Sequence, residues 1–472
     1  MNHKFYSRIN KFSLIFSDFV ALFLATFIAY YVSTPDDFSL EIDEITDSVI
    51  RLNLFFFTGL GVIGWLWVIY RHYSYRKPFW DELRDIYITL FFASIVNLSL
   101  LVFTKNHFSL MTWAYVWGIA VILFPCSRIL CKRFLSKLGC WQINSVIIGN
   151  QRNAKSVYNA ISGDSYLGYC VNAFVSPADT IPVVTLNSTG YITGSELLEN
   201  IDQYQMVFIA LEKEQEHIME KWVRKLNNIG FRNISIIPPL QGVPLYGTRI
   251  SYFFSSEVII LRIKNNLAKR SSKFIKRCFD IVLSSFFLTA LSPLLCYLFF
   301  KIKKDGGSAI YSQIRIGQDG KAFHCYKFRT MSMDALTILR ELLENDLEAK
   351  EEWDKSFKLK NDPRITEIGK FLRRTSLDEL PQLWNVLRGD MSLVGPRPVI
   401  RQELSFYGDD LNYYYMTKPG MTGLWQISGR SDTTYSTRVY LDAWYVKNWS
   451  LWNDITILAK TVGVVLKGKG AY

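Results

Sequence analysis

Cysteine and histidine are scarce in this chain, seven and five residues among 472, and neither type gathers into a close cluster. An odd cysteine count with no close CxxC spacing excludes a disulfide framework and a zinc ribbon, and it fits soluble parts facing a reducing cytosol. Acidic residues are in deficit too, 42 Asp and Glu against 54 Lys and Arg, a balance of +12. With 15% aromatic residues, that excess suits an anionic membrane surface or anionic substrates, nucleic acid being the rival partner. The length allows roughly two to four structural units of ~100 to 200 residues.

Charge is missing almost entirely from four apolar stretches, about residues 12–32, 52–70, 86–103 and 111–126, where Asp18 is the one exception. Each comes near the ~20 residues that a spanning helix needs. The first is too long for a cleavable signal peptide, and no small-residue cleavage site follows it. Lys4, Arg8 and Lys11 precede the first stretch; Arg71, Arg76, Lys77 and Arg84 separate the second from the third; Arg128, Lys132, Arg133 and Lys137 follow the fourth. The other loops are the acidic "PDDFSLEIDEITD" and the nearly neutral "TKNHFSL". The positive-inside rule then places both ends of a four-helix transmembrane bundle, residues 1–140, in the cytoplasm. Buried helices of a large soluble protein would not repeat this charge alternation.

From about residue 141 to 262 the pattern changes. "INSVIIGN", "QMVFIAL" and "RNISIIP" read as buried strands, alternating with the helical stretches "AKSVYNAI" and "EHIMEKWVRKL". This predicts a parallel, Rossmann-like α/β domain. Glycine is what it lacks: Asn150, Gln151, Arg152 and Asn153 follow Gly149, so the phosphate-cradling turn of a dinucleotide site is missing. A structural or regulatory role is expected, with cofactor binding the lesser alternative.

Residues 281–300 form another uncharged run, but cations lie on both sides: Lys269, Arg270, Lys273, Lys276 and Arg277 before it, Lys301, Lys303 and Lys304 after it. Both ends therefore belong in the cytoplasm. Ser292 and Pro293 permit a sharp bend, since proline removes a backbone donor while serine can satisfy a freed carbonyl. The expectation is a re-entrant helix-break-helix near residues 274–303; a straight span would export everything after Lys301.

The remaining residues read as a polar module of about 170 residues. "AIYSQIRIGQDGKAFHCYKFRTM" predicts a hairpin turning at Asp319 and Gly320, with Lys327 and Arg329 on one face of its second strand. A helical stretch spans about 334–358. Then comes "RRTSLDELPQLWNVLRGDMSLVGPRP", with Asp378 and Glu379 side by side among Arg373, Arg374, Arg388 and Arg397. Ser376 and Glu379 have the spacing of a capping box, which would explain the carboxylates as ordinary first-turn acids. It would not explain the arginines. Leu380, Leu383, Trp384 and Leu387 are the expected buried face of the following helix. Two carboxylates there can reach one pocket, where helix dipole and cations keep both ionised at neutral pH, which suits covalent attack on phosphorus aided by a divalent metal.

"SPLLCYLFFK", "YKFRTM", "NDPRITEIGKFLRRTSLDELPQLWNVLRGDMSLVGPRP", "KPGMTGLWQISGR" and "YVKNWSLWND" resemble the bacterial sugar transferase family, the monotopic polyprenyl-phosphate phosphoglycosyl transferases. The resemblance covers roughly residues 269–472, and "RHYSYRKPFWDEL" and "NNLAKRSS" extend it along the chain. It implies an α+β membrane protein with its catalytic domain at 263–472, in a bacterial inner membrane, with the α/β and catalytic domains cytoplasmic. The implied reaction moves a sugar 1-phosphate from a UDP-sugar to undecaprenyl phosphate, galactose being the favoured sugar and glucose the alternative, at the start of O-antigen, capsule or exopolysaccharide synthesis. By this likeness Asp378 is the nucleophile, releasing UMP, and Glu379 helps hold Mg²⁺ or manages protons. Ser292 and Pro293 match the membrane break that seats the site at headgroup level.

Other assignments under the resemblance rest partly on chemistry. Lys327 and Arg329 fit diphosphate neutralisation; Arg397, between Pro396 and Pro398, is set for a bidentate phosphate contact. Arg430 is placed to reach the nucleotide. Asp454 matches a family acid, although Ser450 as N-cap would make it an ordinary first-turn residue; the functional reading is preferred. Asp390 and Asp442 read as structural, and Trp449 and Trp452 as interfacial anchors of the last helix. Partners are then membrane lipids and the two substrates, with no nucleic acid, and a homodimer joined through the α/β insert. The readings from other classes are a non-catalytic membrane scaffold or nucleotide sensor, which an intact Asp378 and Glu379 disfavour, and a transporter or polymerase, which would carry more spans and intramembrane charges.

Overall fold

A computed structural model describes residues 3–33, 42–103, 109–177, 190–240, 243, 248–252, 259–262, 267, 269–356, 359, 362–429 and 434–466. The chain divides into two compact units, Met1–Leu240 and Gln241–Tyr472.

The first unit begins with α1 (His3–Ser33), α2 (Ile42–Val68), α3 (Phe79–Phe103) and α4 (Leu110–Lys137), in which α1 packs on α4 and α2 on α3. Tyr6–Ser33, Phe79–Phe103 and Leu110–Lys137 are long and apolar enough to cross a membrane. The second expected span corresponds to a shorter apolar helix, Leu52–Val68. Inside the unit lies an ionic network that hydropathy alone would not reveal. Fully buried Arg128 on α4 reaches Asp18 on α1 at 2.5 Å and Glu82 on α3 at 2.6 Å, and Lys132 takes the other Glu82 oxygen at 2.5 Å. Arg128 and Lys132 thus hold ion pairs within the helices, where the sequence reading counts them as loop charge. Buried charges persist where each has a partner, which is the arrangement here.

The unit continues with β1 (Ile143–Ile148), α5 (Arg152–Ser162), β2 (Tyr169–Val175), β3 (Gly190–Ile192), α6 (Gly194–Glu199), β4 (Met206–Ile209), α7 (Glu216–Asn228) and β5 (Ile234–Ile236). The strands form a parallel sheet in the order β3-β2-β1-β4-β5, the doubly wound arrangement the alternating pattern predicts. Val146 and Ile148 pack towards Trp222 and Leu226 of α7, while Ile147 packs towards Val157 and Ile161 of α5, so β1 is covered on both faces. Gly149, at φ +146°, lies so close to the Ala210 carbonyl that a Cβ would meet it at 2.3 Å. At the amino end of α5, where a dinucleotide fold receives its pyrophosphate, the Glu212 carboxylate accepts from the Asn153 amide at 2.8 Å. The chain's own anion fills that position.

The second unit contains a small antiparallel pair, β6 (Arg249–Tyr252) and β7 (Ile259–Arg262), then α8 (Arg270–Ala290) and α9 (Ser292–Lys303), bent by 63° at Leu291. Ser292 Oγ donates to the Thr289 carbonyl at 2.8 Å and Pro293 sits in the first turn of α9, where its missing N–H costs nothing. Next come the antiparallel strands β8 (Ile310–Ile316) and β9 (Ala322–Phe328), turning through Asp319 (φ 56°) and Gly320 (φ 74°) as the Asp-Gly pair predicts. The expected 334–358 helix divides into α10 (Ala335–Asn345) and α11 (Leu347–Ser356). α12 (Glu367–Thr375), α13 (Gln382–Arg388), the parallel pair β10 (Ser392–Val394) and β11 (Gly420–Thr422), and α14 (Leu411–Tyr415), α15 (Leu424–Ile427), α16 (Tyr435–Lys447) and α17 (Leu451–Leu466) complete the unit.

α8 is fastened to this scaffold by charge. Arg277 donates to the Val386 and Leu387 carbonyls, both at 2.6 Å, closing the carboxyl end of α13. Asp280 accepts from Ser392 Oγ and the Leu393 amide, both at 3.0 Å. Lys276 binds the Val394 carbonyl at 2.9 Å and Asp454 at 2.7 Å. These residues immediately precede the apolar run, and they tie the bent helix pair to the segment that follows the two carboxylates.

Candidate active site

The carboxylates sit between two helices because the backbone reverses at Ser376. α12 starts at Thr366, whose hydroxyl accepts from the Gly369 amide at 3.0 Å, and ends at Ser376 in the left-handed conformation (φ 57°, ψ 19°). A non-glycine residue held there stores a cost of order 1 kcal/mol, which is most often found at functional sites. One tight turn, Leu377–Glu379, follows, and Pro381 leads into α13. The capping box that the spacing allows as the alternative does not form: the Ser376 side chain caps nothing, and Glu379 turns away to take Lys327 Nζ of β9 at 2.6 Å. A long-range cation competes better for this carboxylate than a local amide does.

Asp378 is half-buried in the same turn. Burial and the neighbouring Glu379 push its carboxyl up to about 6, against the opposing pull of Lys327 and Arg373. The expectation that helix dipole and cations dominate is thus not met, since burial and Glu379 outweigh Lys327 and Arg373. Lys327 feels burial pulling its ammonium down and the Glu379 and Asp378 charges more than reversing that, so it stays protonated. Arg373 of α12 is held by Thr330, its Nε donating to Oγ1 at 3.0 Å. Cys325, two residues before Lys327 on β9, has its thiol raised to about 11, chiefly by burial.

The face of α13 differs from expectation. Leu383 and Val386 are buried, as are Gln382 and Asn385, whereas Trp384 is 58% exposed. The four arginines also separate. Arg373 bears on the pair; Arg374 is exposed; Arg388 pairs with Asp390 at 3.6 Å; Arg397 lies 5.3 Å from the Trp425 ring.

Arg329 takes a different path from Lys327. It donates to the Ser308 carbonyl at 2.8 Å and the Ile302 carbonyl at 3.1 Å and pairs with Asp305, fastening the end of α9. A cavity of about 280 Å³ opens beside it, lined by Lys301, Lys304, Asp305, Thr366 and Glu367 among others. Asp454 belongs to the interior: 1% exposed, it binds Lys276, accepts from Tyr445 Oη at 2.7 Å and from Trp449 Nε1 at 3.0 Å. Those partners make it a packing residue. Trp449, 4% exposed, is correspondingly a core residue and not an interfacial anchor. Asp442 is buried as expected of a structural acid, accepting from Tyr407 Oη at 2.8 Å, and burial raises it to about 7. Arg430 lies outside the described residues.

Sequence reasoning passed over Asn385, Thr330 and the Arg277 clasp. Asn385 carried one signal, a polar residue in an apolar helix, and its meaning depends on a strand about 60 residues earlier, since its Nδ2 donates to the His324 carbonyl at 2.7 Å with a sequence separation of 61. Among the described residues no group of three or more His, Cys, Asp or Glu can hold a metal.

Residues 271–468 match the bacterial sugar transferase family. The chain is 46% identical to undecaprenyl-phosphate galactose phosphotransferase of Salmonella typhimurium, over 100% of this chain and 99% of that protein. It is 49% identical to UDP-galactose-lipid carrier transferase of Erwinia amylovora over 87% of this chain and 86% of the relative. An uncharacterized sugar transferase of Haemophilus influenzae is 47% identical over the full length of both. Likeness at this level from end to end, together with the match across the residues that build the carboxylate pair, means that the chain belongs to the bacterial sugar transferase family.

Proposed function

We propose that this enzyme transfers galactose 1-phosphate from UDP-galactose to undecaprenyl phosphate in two displacements. An Asp378 oxygen attacks the β-phosphorus, the bond to the bridging oxygen breaks, and UMP leaves with that oxygen. An oxygen of undecaprenyl phosphate then attacks the same phosphorus, the aspartyl P–O bond breaks, and undecaprenyl diphosphate galactose is released. The observation that carries the reading is the division of labour in the pair: Glu379 holds the Lys327 ion pair at 2.6 Å, while Asp378 is left ionised beside two cations. A carboxylate so placed is a nucleophile for phosphorus. The choice of sugar rests on the names of the Salmonella and Erwinia relatives.

Mg²⁺ fits this site as a shared ligand of protein and donor. Two adjacent carboxylates supply the one or two protein oxygens that Mg²⁺ commonly takes when substrate phosphates and water complete its shell. Asp378 and Glu379 would hold it, and it would neutralise diphosphate charge. Lys327 supplies fixed positive charge at the same place, and Arg397 and Arg430 are assigned to the donor's phosphates or nucleotide. Arg329, proposed with Lys327 for the donor's diphosphate, has its guanidinium held by Asp305 and the Ser308 and Ile302 carbonyls, so its part is to fix the end of α9. The bent α8–α9 pair dips into the cytoplasmic leaflet and returns, α1–α4 anchor the chain, and both soluble parts lie in the cytoplasm.

Purified full-length protein with Mg²⁺ and undecaprenyl phosphate is assayed for UMP release from UDP-galactose and, separately, UDP-glucose. UMP from UDP-galactose, lost in Asp378→Asn, is the expected result; UMP with glucose alone overturns the sugar, and an active Asp378→Asn overturns the nucleophile. A reporter fused to the carboxyl terminus is expected on the cytoplasmic side, and a periplasmic signal would refute the re-entrant reading.

A further inference from the structure

We infer that Asn385 is a positioning residue that sets the separation of Lys327 from the carboxylate pair. This inference rests on the reading of Asp378, Glu379 and Lys327 as the reacting site. Asn385 is fully buried on α13. Its Nδ2 donates to the His324 carbonyl at 2.7 Å and its Oδ1 accepts from the Tyr326 amide at 3.1 Å. A carbonyl and the amide two residues on point to the same side of a strand, so one carboxamide satisfies both and docks on the edge of β9 as a strand residue would. Nδ2 also lies 3.5 Å from Asp390 Oδ2, and the Asn385 carbonyl accepts from the Gly389, Asp390 and Met391 amides, which locks its own backbone.

The consequence is a closed circuit. Tyr326 is one residue from Lys327; Asn385 is joined to Glu379 through Leu380, the rigid Pro381 and the first turn of α13. The side-chain clasp at Tyr326 and the ion pair at Glu379 therefore bridge the same two elements a short distance apart. Without the clasp, β9 keeps the apolar cluster that holds its Cys325 with Leu383 and Val386 of α13, which is not directional, and the half-exposed Lys327–Glu379 ion pair, which by itself holds little. Catalytic geometry tolerates little slack, since a displacement of ~1 Å costs on the order of 100-fold in rate.

A residue that merely stabilises the fold and one that acts through Lys327 give different double-mutant cycles. Single-turnover UMP release from UDP-galactose is measured for the full-length protein, Asn385→Ala, Lys327→Met, the double variant and Asp378→Asn, each checked for folding by thermal melting. The expected result is a rate loss of ~10- to 100-fold in Asn385→Ala with donor affinity within about 3-fold of the parent, and a double variant no more than ~3-fold below Lys327→Met. Losses that multiply overturn the inference, as does Asn385→Ala at the parent rate while Asp378→Asn is inactive. An active Asp378→Asn instead overturns the site itself. Where Asn385→Ala does not fold, Asn385→Ser keeps a neutral hydroxyl in place of the carboxamide; it is expected to lose less and to show the same coupling to Lys327, and independence from Lys327 refutes the proposal.

Discussion

The pH dependence of the first half-reaction should move in opposite directions when the two neighbours of Asp378 are neutralised. The parent carboxyl lies at about 6, so the ionised share is about nine-tenths at pH 7 and about half at pH 6. Mg²⁺, which this carboxyl would help hold, favours the ionised form, so single-turnover UMP release without lipid acceptor, which keeps the lipid phosphate's own titration out of the profile, should fall along an acid limb at or below that pH. Glu379→Gln removes the negative neighbour that helps raise Asp378, and the limb should shift to lower pH. Lys327→Met removes a cation that lowers it, and the limb should shift to higher pH. A rise of one unit would leave about half of Asp378 ionised at pH 7, a loss of only about 2-fold. Any greater loss at the plateau measures what Lys327 does for the phosphates. Because adjacent carboxylates titrate as a pair, the comparison is between profiles and not between single residues. Limbs that shift the same way in both variants, or do not move, would refute the assignment of the limb to Asp378.

Asp378→Asn should melt no lower than the parent at pH 7. A carboxyl raised in the folded state contributes stability when protonated and loses it as pH rises through about 6, so the neutral amide removes a cost; a marked drop in Tm would mean the carboxylate is a structural ion-pair member. Arg128→Met should destabilise the first unit by about 3 to 5 kcal/mol, because buried Asp18 loses its cation and Glu82 is left with Lys132 alone. Thermal unfolding in detergent tests this, and a change within error would show that the network is not sealed from water. NADH at millimolar concentration should give no fluorescence change with the intact protein, since Glu212 already fills the amino end of α5; saturable binding would refute that assignment.

Much of the architecture was legible because it depends on composition and on period. The apolar runs, the alternation of strand and helix from residue 141 onward, the Asp-Gly hairpin and the Ser292–Pro293 bend are each dictated by residues close in sequence. What spacing left open or misplaced shares a cause. Ser376 and Glu379 have the spacing of a capping box, the alternative explanation of the pair, yet Lys327, 52 positions earlier, takes the carboxylate. Trp384 has the period of a core residue and faces out, while Asn385 is buried because a strand edge offers it two partners. Lys276 reads as a flanking cation and Trp449 as an interfacial anchor, and both close on Asp454 in the interior.

The sequence by itself therefore determined the family, the elements and the identity of the paired carboxylates, since these follow from local pattern and unbroken motifs. Tertiary structure decided which charge meets which: Lys327 with Glu379, Arg373 beside Asp378, Arg329 with the end of α9, and Arg128 with Asp18 and Glu82. Spacing along a chain constrains partners only a few residues apart, whereas Coulomb energy falls with distance in space and rises with burial, and both of those are properties of the folded molecule.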